Sequence, residues 1–374
     1  MVQQPVPSYL DKRVLRWAYY GAMGIINDNF GRRSRRELLT GFAAASASAL
    51  LSSASLRAQT PGGATRRLDL HHHFANPALI KLMAEKKMSG WQTWTPYSPA
   101  KAIEDMDKGG VQASMVSITT PGIWFGSAEE TRKLARELNE YGAKMVSDYP
   151  GRFGLFAVLP FPNANDCLKE IEYAFDTLKA DGVGLLSSYS NKWHGDAAFA
   201  DVFHELNRRK AIVYTHAQVG DCCQSLVAGI GDVTIEYNTD TARTIISMIE
   251  SGRAAECPDA KFIYSHAGGT ILALPGRFLG QQATRASLAN QADPKSRLGQ
   301  LRRFYYDTAG STNPIQMTAL RQLIGMSQII FGTDFPFGRS ANIAAGLEES
   351  GVFNAEELRA IDRGNALRLV PKFV

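Results

Sequence analysis

The sequence predicts an α/β fold, a (β/α)8 TIM barrel, on three observations. Short β-branched or aromatic runs alternate with helical stretches, and they do so eight times over roughly 300 residues. The fingerprints of the competing doubly wound sheet are also missing, since no GxGxxG follows the first run and no GxxxxGK[ST] occurs. The runs cover 67–73, 112–119, 153–159, 182–187, 211–216, 261–266, 304–308 and 328–334. Each reads as a strand because β-branched and aromatic side chains fit a pleated, half-buried surface. Helical spacing fills the gaps: 128–147 carries Leu134, Leu138 and Tyr141 on one face, and 166–179 carries Leu168, Ile171 and Phe175. The longest irregular stretches, 90–99 and 217–238, each follow a strand and precede a helix, where a barrel keeps its binding loops. No repeat or low-complexity linker follows residue 65, so 59–374 reads as a single barrel domain.

Eight of the 41 basic residues but three of the 36 acidic ones precede residue 59, which leaves 33 of each sign in 59–374. The net charge of +5 therefore belongs to the N-terminal segment, and no nucleic-acid partner is expected. A composition of 45% hydrophobic and 21% charged residues excludes disorder, collagen and coiled coil. Ser34-Arg35-Arg36-Glu37-Leu38-Leu39-Thr40, an uncharged 41–56 and a small-residue exit at Leu56-Arg57-Ala58 form the pattern of a twin-arginine (Tat) export signal. Its apolar run of about sixteen residues is too short to span a bilayer comfortably. Residues 1–58 are thus expected to be a Tat-type signal segment with an N-terminal extension, with Met23 a candidate start; an amphipathic or disordered extension is the alternative. The expected location is periplasmic, or cytoplasmic if the signal does not function, with no membrane association after its removal. Four cysteines, Cys167, Cys222, Cys223 and Cys257, make no disulfide scaffold or zinc finger. The adjacent Cys222 and Cys223 are open between loop thiols, a vicinal disulfide and metal binding.

The seven histidines can be audited singly. Asp69-Leu70-His71-His72-His73 ends the first run, and strict alternation puts Asp69, His71 and His73 on one face and His72 on the other. Two imidazoles at i and i+2 can reach one ion, although a triple histidine can also be an accident. His216 ends the fifth run, His266 the sixth and Asp334 the eighth. Five ionisable residues on four strands therefore fall at the C-terminal strand ends, the rim where barrel active sites are built. The bland account, separate burial of each histidine in a core hydrogen-bond network, needs a coincidence at every one of them. His194 lies in an irregular segment that could approach the site, whereas His204, beside Glu205 in a helical pattern, reads as a surface residue. Trp91, Trp94, Tyr97, Trp124 and Phe125 could wall an aromatic pocket or simply pack helix ends. Arg243, Arg277 and Arg339 are candidate carboxylate anchors, with surface salt bridging as the alternative and the preferred one for Arg243.

His71-x-His73, His216, His266-Ala-Gly-Gly and Gly332-Thr-Asp334-Phe-Pro-Phe337 together resemble the amidohydrolase superfamily in its amidohydrolase 2 branch, over roughly 66–370. That branch includes aminocarboxymuconate-semialdehyde and resorcylate decarboxylases. The stretches 68–74, 120–126, 181–189 and 305–309 are similar to 6-methylsalicylate decarboxylase-like proteins. The resemblance implies a metal-dependent hydrolase type of barrel with His71, His73, His216 and Asp334 as ligands of one divalent ion, Zn²⁺ or alternatively Mn²⁺. It implies a catalytic role for His266, and proton transfer by Asp334 if that residue is more than a ligand. A carboxylated lysine that bridges two metals in other members has no counterpart in 182–189, and Lys192 lies beyond the strand, so a mononuclear site is expected. Arg277 matches an arginine that reaches substrate in a neighbouring subunit, which implies a homodimer; Trp124 is the other expected substrate contact. Two chemistries fit the same residues: non-oxidative decarboxylation of a small hydroxy-aromatic or enol carboxylate, and hydrolysis of a lactone, ester or amide. A metal-storing or ligand-binding protein without catalysis is the third reading.

Overall fold

The structure, a computed structural model, describes residues 66–88 and 90–374; the signal segment expected over 1–58 lies outside them. Eight parallel strands follow one another around a sheet in chain order. They are β1 (Arg67–His73), β2 (Val111–Ser117), β3 (Phe153–Val158), β4 (Gly182–Leu186), β5 (Ile212–His216), β6 (Lys261–Tyr264), β7 (Tyr305–Asp307) and β8 (Ile329–Ile330). The barrel closes where the Leu70 amide donates to the Phe331 carbonyl (3.0 Å) and the His73 amide to the Phe335 carbonyl (2.9 Å). Helices return the chain between strands, among them α1 (Pro99–Lys108), α2 (Ala128–Asp148), α3 (Ala164–Glu172), α4 (Ala200–Arg208), α5 (Asp232–Glu250), α6 (Pro314–Leu323) and α7 (Ser340–Glu349). Ser98, Ser127, Asn163 and Asn313 start four of them, each side chain accepting a first-turn amide that would otherwise lack a partner. The helix expected over 166–179 is instead α3 followed by a π turn, Tyr173–Thr177. Among the described residues no helix is long and apolar enough to cross a membrane.

The barrel interior is filled by inward side chains at alternating positions, Leu68 and Leu70, Ala113 and Met115, Ile212 and Tyr214, with Phe156, Ile263 and Ile330. Phe156 and Tyr214 stack at 5.8 Å between centroids. Each such fully buried side chain contributes about 1.5–3 kcal/mol over its exposed state. Ala366, Val370 and Phe373 pack into the same cluster, and Lys372 ion-pairs with Asp181 just ahead of β4. The C-terminal tail thus plugs the N-terminal end of the barrel, and the polar residues collect at the opposite end.

Two sequence expectations need correction. Between Asp69 and His72 the β1–β2 register slips, so strict alternation fails there. Leu68 and Leu70 face inward, the bulge turns His71 inward as well, and Asp69 ends on the side of His72, whose Nδ1 donates to Asp69 Oδ2 at 2.9 Å. β6 stops at Tyr264 and β8 at Ile330, so His266 and Asp334 stand on the loops beyond rather than ending their strands. Their φ angles of 54° and 61° lie in the left-handed region, which a strand ladder does not accommodate. Of the alternatives open for Cys222 and Cys223, the vicinal disulfide is the one formed, in a turn after β5.

His194 does not join the other histidines. It is buried against Phe203, with Nε2 facing the Leu186 carbonyl at 2.8 Å. Burial pulls its pKa from 6.5 down to about 4, the carbonyl opposing in part. The unfolded ring takes up its proton near 6.5, so between pH 6.5 and 4 the unfolded chain binds more protons than the native one. Stability therefore falls as pH drops through that window, by up to about 1.4 kcal/mol per pH unit from this residue. The substitution His194→Gln is expected to remove about one proton from that slope, read by urea denaturation at pH 5 and 7; an unchanged slope would contradict it. His204 is exposed and pairs with Glu256 at 3.3 Å, as a surface residue does.

Candidate metal centre

Four side chains, His71, His216, His266 and Asp334, bring one donor atom each within 4.8 Å of one another. His73 adds a fifth: its Nε2 lies 3.0 Å from His71 Nε2 and 3.0 Å from Asp334 Oδ1, while His71 Nε2 is 3.1 Å from the same oxygen. His216 Nε2 stands 3.7 Å from it. All five residues expected from the sequence are therefore brought together, from two strand ends and two loops far apart in the chain.

The proton positions decide what the cluster can hold. His71 Nδ1 faces Asp307 Oδ2 at 2.9 Å, and His73 Nδ1 faces the Ser117 carbonyl at 3.3 Å. A carboxylate and a carbonyl only accept, so each ring places its proton on Nδ1 and turns the Nε2 lone pair to the centre. Two lone pairs and a carboxylate oxygen within about 3 Å of each other are stable only around positive charge. A divalent cation with nitrogen and oxygen ligands fits that donor set. Three of the four ligands already hold the charge state that a cation needs. Burial opposes a second proton on His71, but Asp307 and Asp334 outweigh it and push its pKa up to about 10, so the positive charge there is an Nε2 proton that a cation would displace. Burial lowers His73 to about 4 and, with His73 as a like-charged neighbour, His216 to about 3. Burial would raise Asp334, yet the charge on His71 and the close approach of the three imidazoles drive it well below the usual carboxylate range. Neutral His73 and His216 beside an ionised Asp334 are the protonation states that metal ligands require.

The supporting shell comes from Asp69, Thr119, Asp307 and Thr333. Asp69 accepts from the amides of His71 and Thr333 (both 3.0 Å) and from Thr333 Oγ1 (2.6 Å), fastening β1 to the β8 loop. Thr119 Oγ1 lies 3.3 Å from His216 Nδ1. Asp307 holds His71 and, through its other oxygen, the His266 amide at 3.0 Å. Asp307 is the last residue of β7 and lies inside the seventh run, 304–308, one residue before its end. Gly332 is required by this packing: a Cβ there would stand 2.7 Å from His71 Cβ and 2.9 Å from Asp307 Cβ.

A cavity of about 720 Å³ opens onto the cluster, within the range of small-molecule sites. His216, His266 and Asp334 line it together with Trp124, Phe125, Phe337, Tyr237, Gln218 and Ser311. His71 and His73 lie wholly buried behind. Of the expected aromatic wall, Trp124 and Phe125 are in place, whereas Trp94 packs on Tyr97 and Phe337 and belongs to the core. No lysine or arginine is among the described residues lining the cavity. Arg243 reaches Glu236 and Asp240 (3.6 and 3.5 Å), and Arg339 approaches Asp105 at 3.9 Å. Arg277 is exposed in the short helix Pro275–Phe278, apart from the cavity of its own chain.

An amidohydrolase family model matches residues 68–372. The chain is 34% identical over 336 residues to decarboxylase macB of Penicillium terrestre, covering 82% of this chain and 95% of the relative. It is 33% identical over 325 residues to 6-methylsalicylic acid decarboxylase of Penicillium expansum, covering 82% and 96%. Among solved structures it is similar to an amidohydrolase II, with a TM-score of 0.74 and 25% identity over 82% of this chain and 99% of the other. A dihydroxybenzoic acid decarboxylase of Polaromonas with bound manganese shares the fold, with a TM-score of 0.69 and 20% identity over 82% and 97%.

Proposed function

The chain belongs to the amidohydrolase family, and from that membership we propose that it is a metal-dependent, non-oxidative decarboxylase of a small hydroxy-aromatic carboxylate such as 6-methylsalicylate. The observation that carries the reading is the aromatic-walled cavity of about 720 Å³ that ends on His266 and Asp334. It suits one planar ring whose polar edge meets the histidine cluster, and relatives one-third identical over nearly their whole length are named for that reaction.

His71, His73, His216 and Asp334 would hold one divalent cation, Zn²⁺ by its preference for imidazole, with Mn²⁺ as the alternative suggested by the manganese-bound relative. When bound, that cation supplies Lewis-acid charge to the oxygens of an ortho-hydroxy carboxylate. His266 is assigned to the substrate, the role that the resemblance implies, because it lines the cavity while the Nε2 atoms of His71, His73 and His216 gather at 3.1, 3.0 and 3.7 Å around Asp334 Oδ1. Its Nδ1 donates to the Ala309 carbonyl at 3.0 Å, which leaves Nε2 to accept from a substrate hydroxyl. Asp334, held ionised by the imidazoles around it, takes a proton from the substrate and returns it to the ring carbon. There the bond to the carboxylate breaks, its electron pair stays on the ring, and CO2 leaves. Trp124 and Phe125 exclude water from the ring face. Export to the periplasm through 1–58 and a homodimer in which Arg277 serves the neighbouring site complete the proposal, supported by the twin-arginine pattern and by the exposure of Arg277.

The test is a comparison of 6-methylsalicylate and other ortho-hydroxybenzoates with lactones and aryl esters, using chain stripped of metal and reloaded with Zn²⁺ or Mn²⁺. Turnover of the hydroxybenzoates only after reloading supports the proposal; preferential turnover of the esters or lactones would contradict it. In the same preparations His216→Ala is expected to lose metal and activity together, measured by elemental analysis and product formation.

A further inference from the structure

We propose that Asp307 is a positioning residue that sets two functional histidines at once: it fixes the ring tautomer of His71 and anchors the backbone of His266. This rests on the assignments of His71 as a metal ligand and His266 as the substrate-side histidine. Asp307 closes β7 and is wholly buried. Both of its oxygens are committed. Oδ2 accepts from His71 Nδ1 at 2.9 Å, and Oδ1 accepts from the amides of His266 and Ala309, each at 3.0 Å.

The two halves of that arrangement do different things. With Oδ1 taken by two amides, Oδ2 accepts from Nδ1, which holds a His71 proton there and leaves Nε2 as the atom to serve as ligand. On the other side, His266 has a φ of 54°, and the following Ala267 one of 56°, a conformation costly for residues with a Cβ. It persists only if the surroundings hold it. The amide of His266 is held by Oδ1, and its ring by the carbonyl of Ala309, whose own amide is held by the same oxygen. Removing the carboxylate therefore loosens the His266 backbone and the group that orients its imidazole. A carboxylate kept for fold stability alone has no reason to divide its oxygens between a ligand and a substrate-side histidine.

The test compares Asp307→Asn, Asp307→Ala and, as a control, Asp362→Asn, which breaks a buried carboxylate pair with Arg67 (2.9 Å) at the other end of the barrel. Zn²⁺ affinity is read by competition with a chromophoric chelator, and kcat at saturating metal with 6-methylsalicylate. In Asp307→Asn the amide nitrogen turns toward His71, because facing two amide donors would be worse. It then donates to Nδ1 and drives the ring proton onto Nε2. The Zn²⁺ dissociation constant is expected to rise about 10–100-fold, while kcat at saturating metal stays within about threefold, since the retained oxygen still accepts from His266. In Asp307→Ala a similar loss of affinity is expected together with a further fall in kcat of at least about tenfold. Asp362→Asn should lower thermal stability and leave Zn²⁺ affinity unchanged. Wild-type affinity in Asp307→Asn overturns the tautomer role, and a kcat in Asp307→Ala equal to that of Asp307→Asn overturns the anchoring role. Wild type and His71→Ala are measured alongside: if only the wild type holds Zn²⁺, the ligand assignment stands whatever the Asp307 variants do.

Discussion

Asp334→Asn is expected to lower kcat by about 10²–10⁴-fold. Two roles are lost together. The carboxylate oxygen that lies 3.1 and 3.0 Å from the Nε2 atoms of His71 and His73 carries the negative charge of the donor set. An amide there leaves three imidazoles without a counter-charge and weakens metal binding. The same group is the proton carrier at the cavity, and an amide can neither take up nor release that proton. Metal content and kcat measured on one preparation separate the two losses. After saturation with Zn²⁺ the deficit in kcat should persist; recovery to more than a tenth of wild type would reduce Asp334 to a ligand.

His266→Ala is expected to retain metal and to lose about 10²–10⁴-fold in kcat. His266 shares the cavity wall with Asp334, while His71 and His73 stand behind it, so its removal opens the substrate side and not the donor set. Its donor atom does lie within 4.8 Å of those of His71, His216 and Asp334, which gives the opposite outcome a clear meaning. Loss of metal on this substitution would make His266 a ligand and move His73 to the supporting shell. The conservative change His266→Gln retains a hydrogen-bonding side chain and should recover part of the rate if the role is to orient substrate oxygens.

The barrel was legible because its chemistry is punctuated. Apolar runs change to histidine or aspartate at one end only, as in Ile-Val-Tyr-Thr-His216, and a run that turns polar at its C-terminal end marks the rim of a parallel barrel. What was not legible is local geometry that breaks the period. The bulge after Leu70 carries no glycine or proline to announce it, so Asp69 was placed on the wrong face. The left-handed backbone at His266 and Asp334 is imposed by the surrounding hydrogen bonds and not by residue type, and strand ends were read too long in consequence. Asp307 stands behind two tyrosines, where a carboxylate reads as a strand residue until its partners, far away in the chain, are seen beside it. Aromatic residues were ambiguous for a similar reason. Trp124 at the cavity and Trp94 in the core follow the same kind of strand-to-helix connection, and only the packing of Trp94 against Tyr97 separates them.

Metal-dependent decarboxylation at these histidines leaves an isotopic mark on its product in D2O. Chain loaded with Zn²⁺ or Mn²⁺ is incubated with 6-methylsalicylate, CO2 and the phenolic product are quantified, and the product is examined for deuterium. The expected result is CO2 and 3-methylphenol in equal amounts, with deuterium at the carbon that bore the carboxylate and no reaction after metal removal. Absence of CO2 while a lactone or aryl ester is hydrolysed by the same preparation would contradict it.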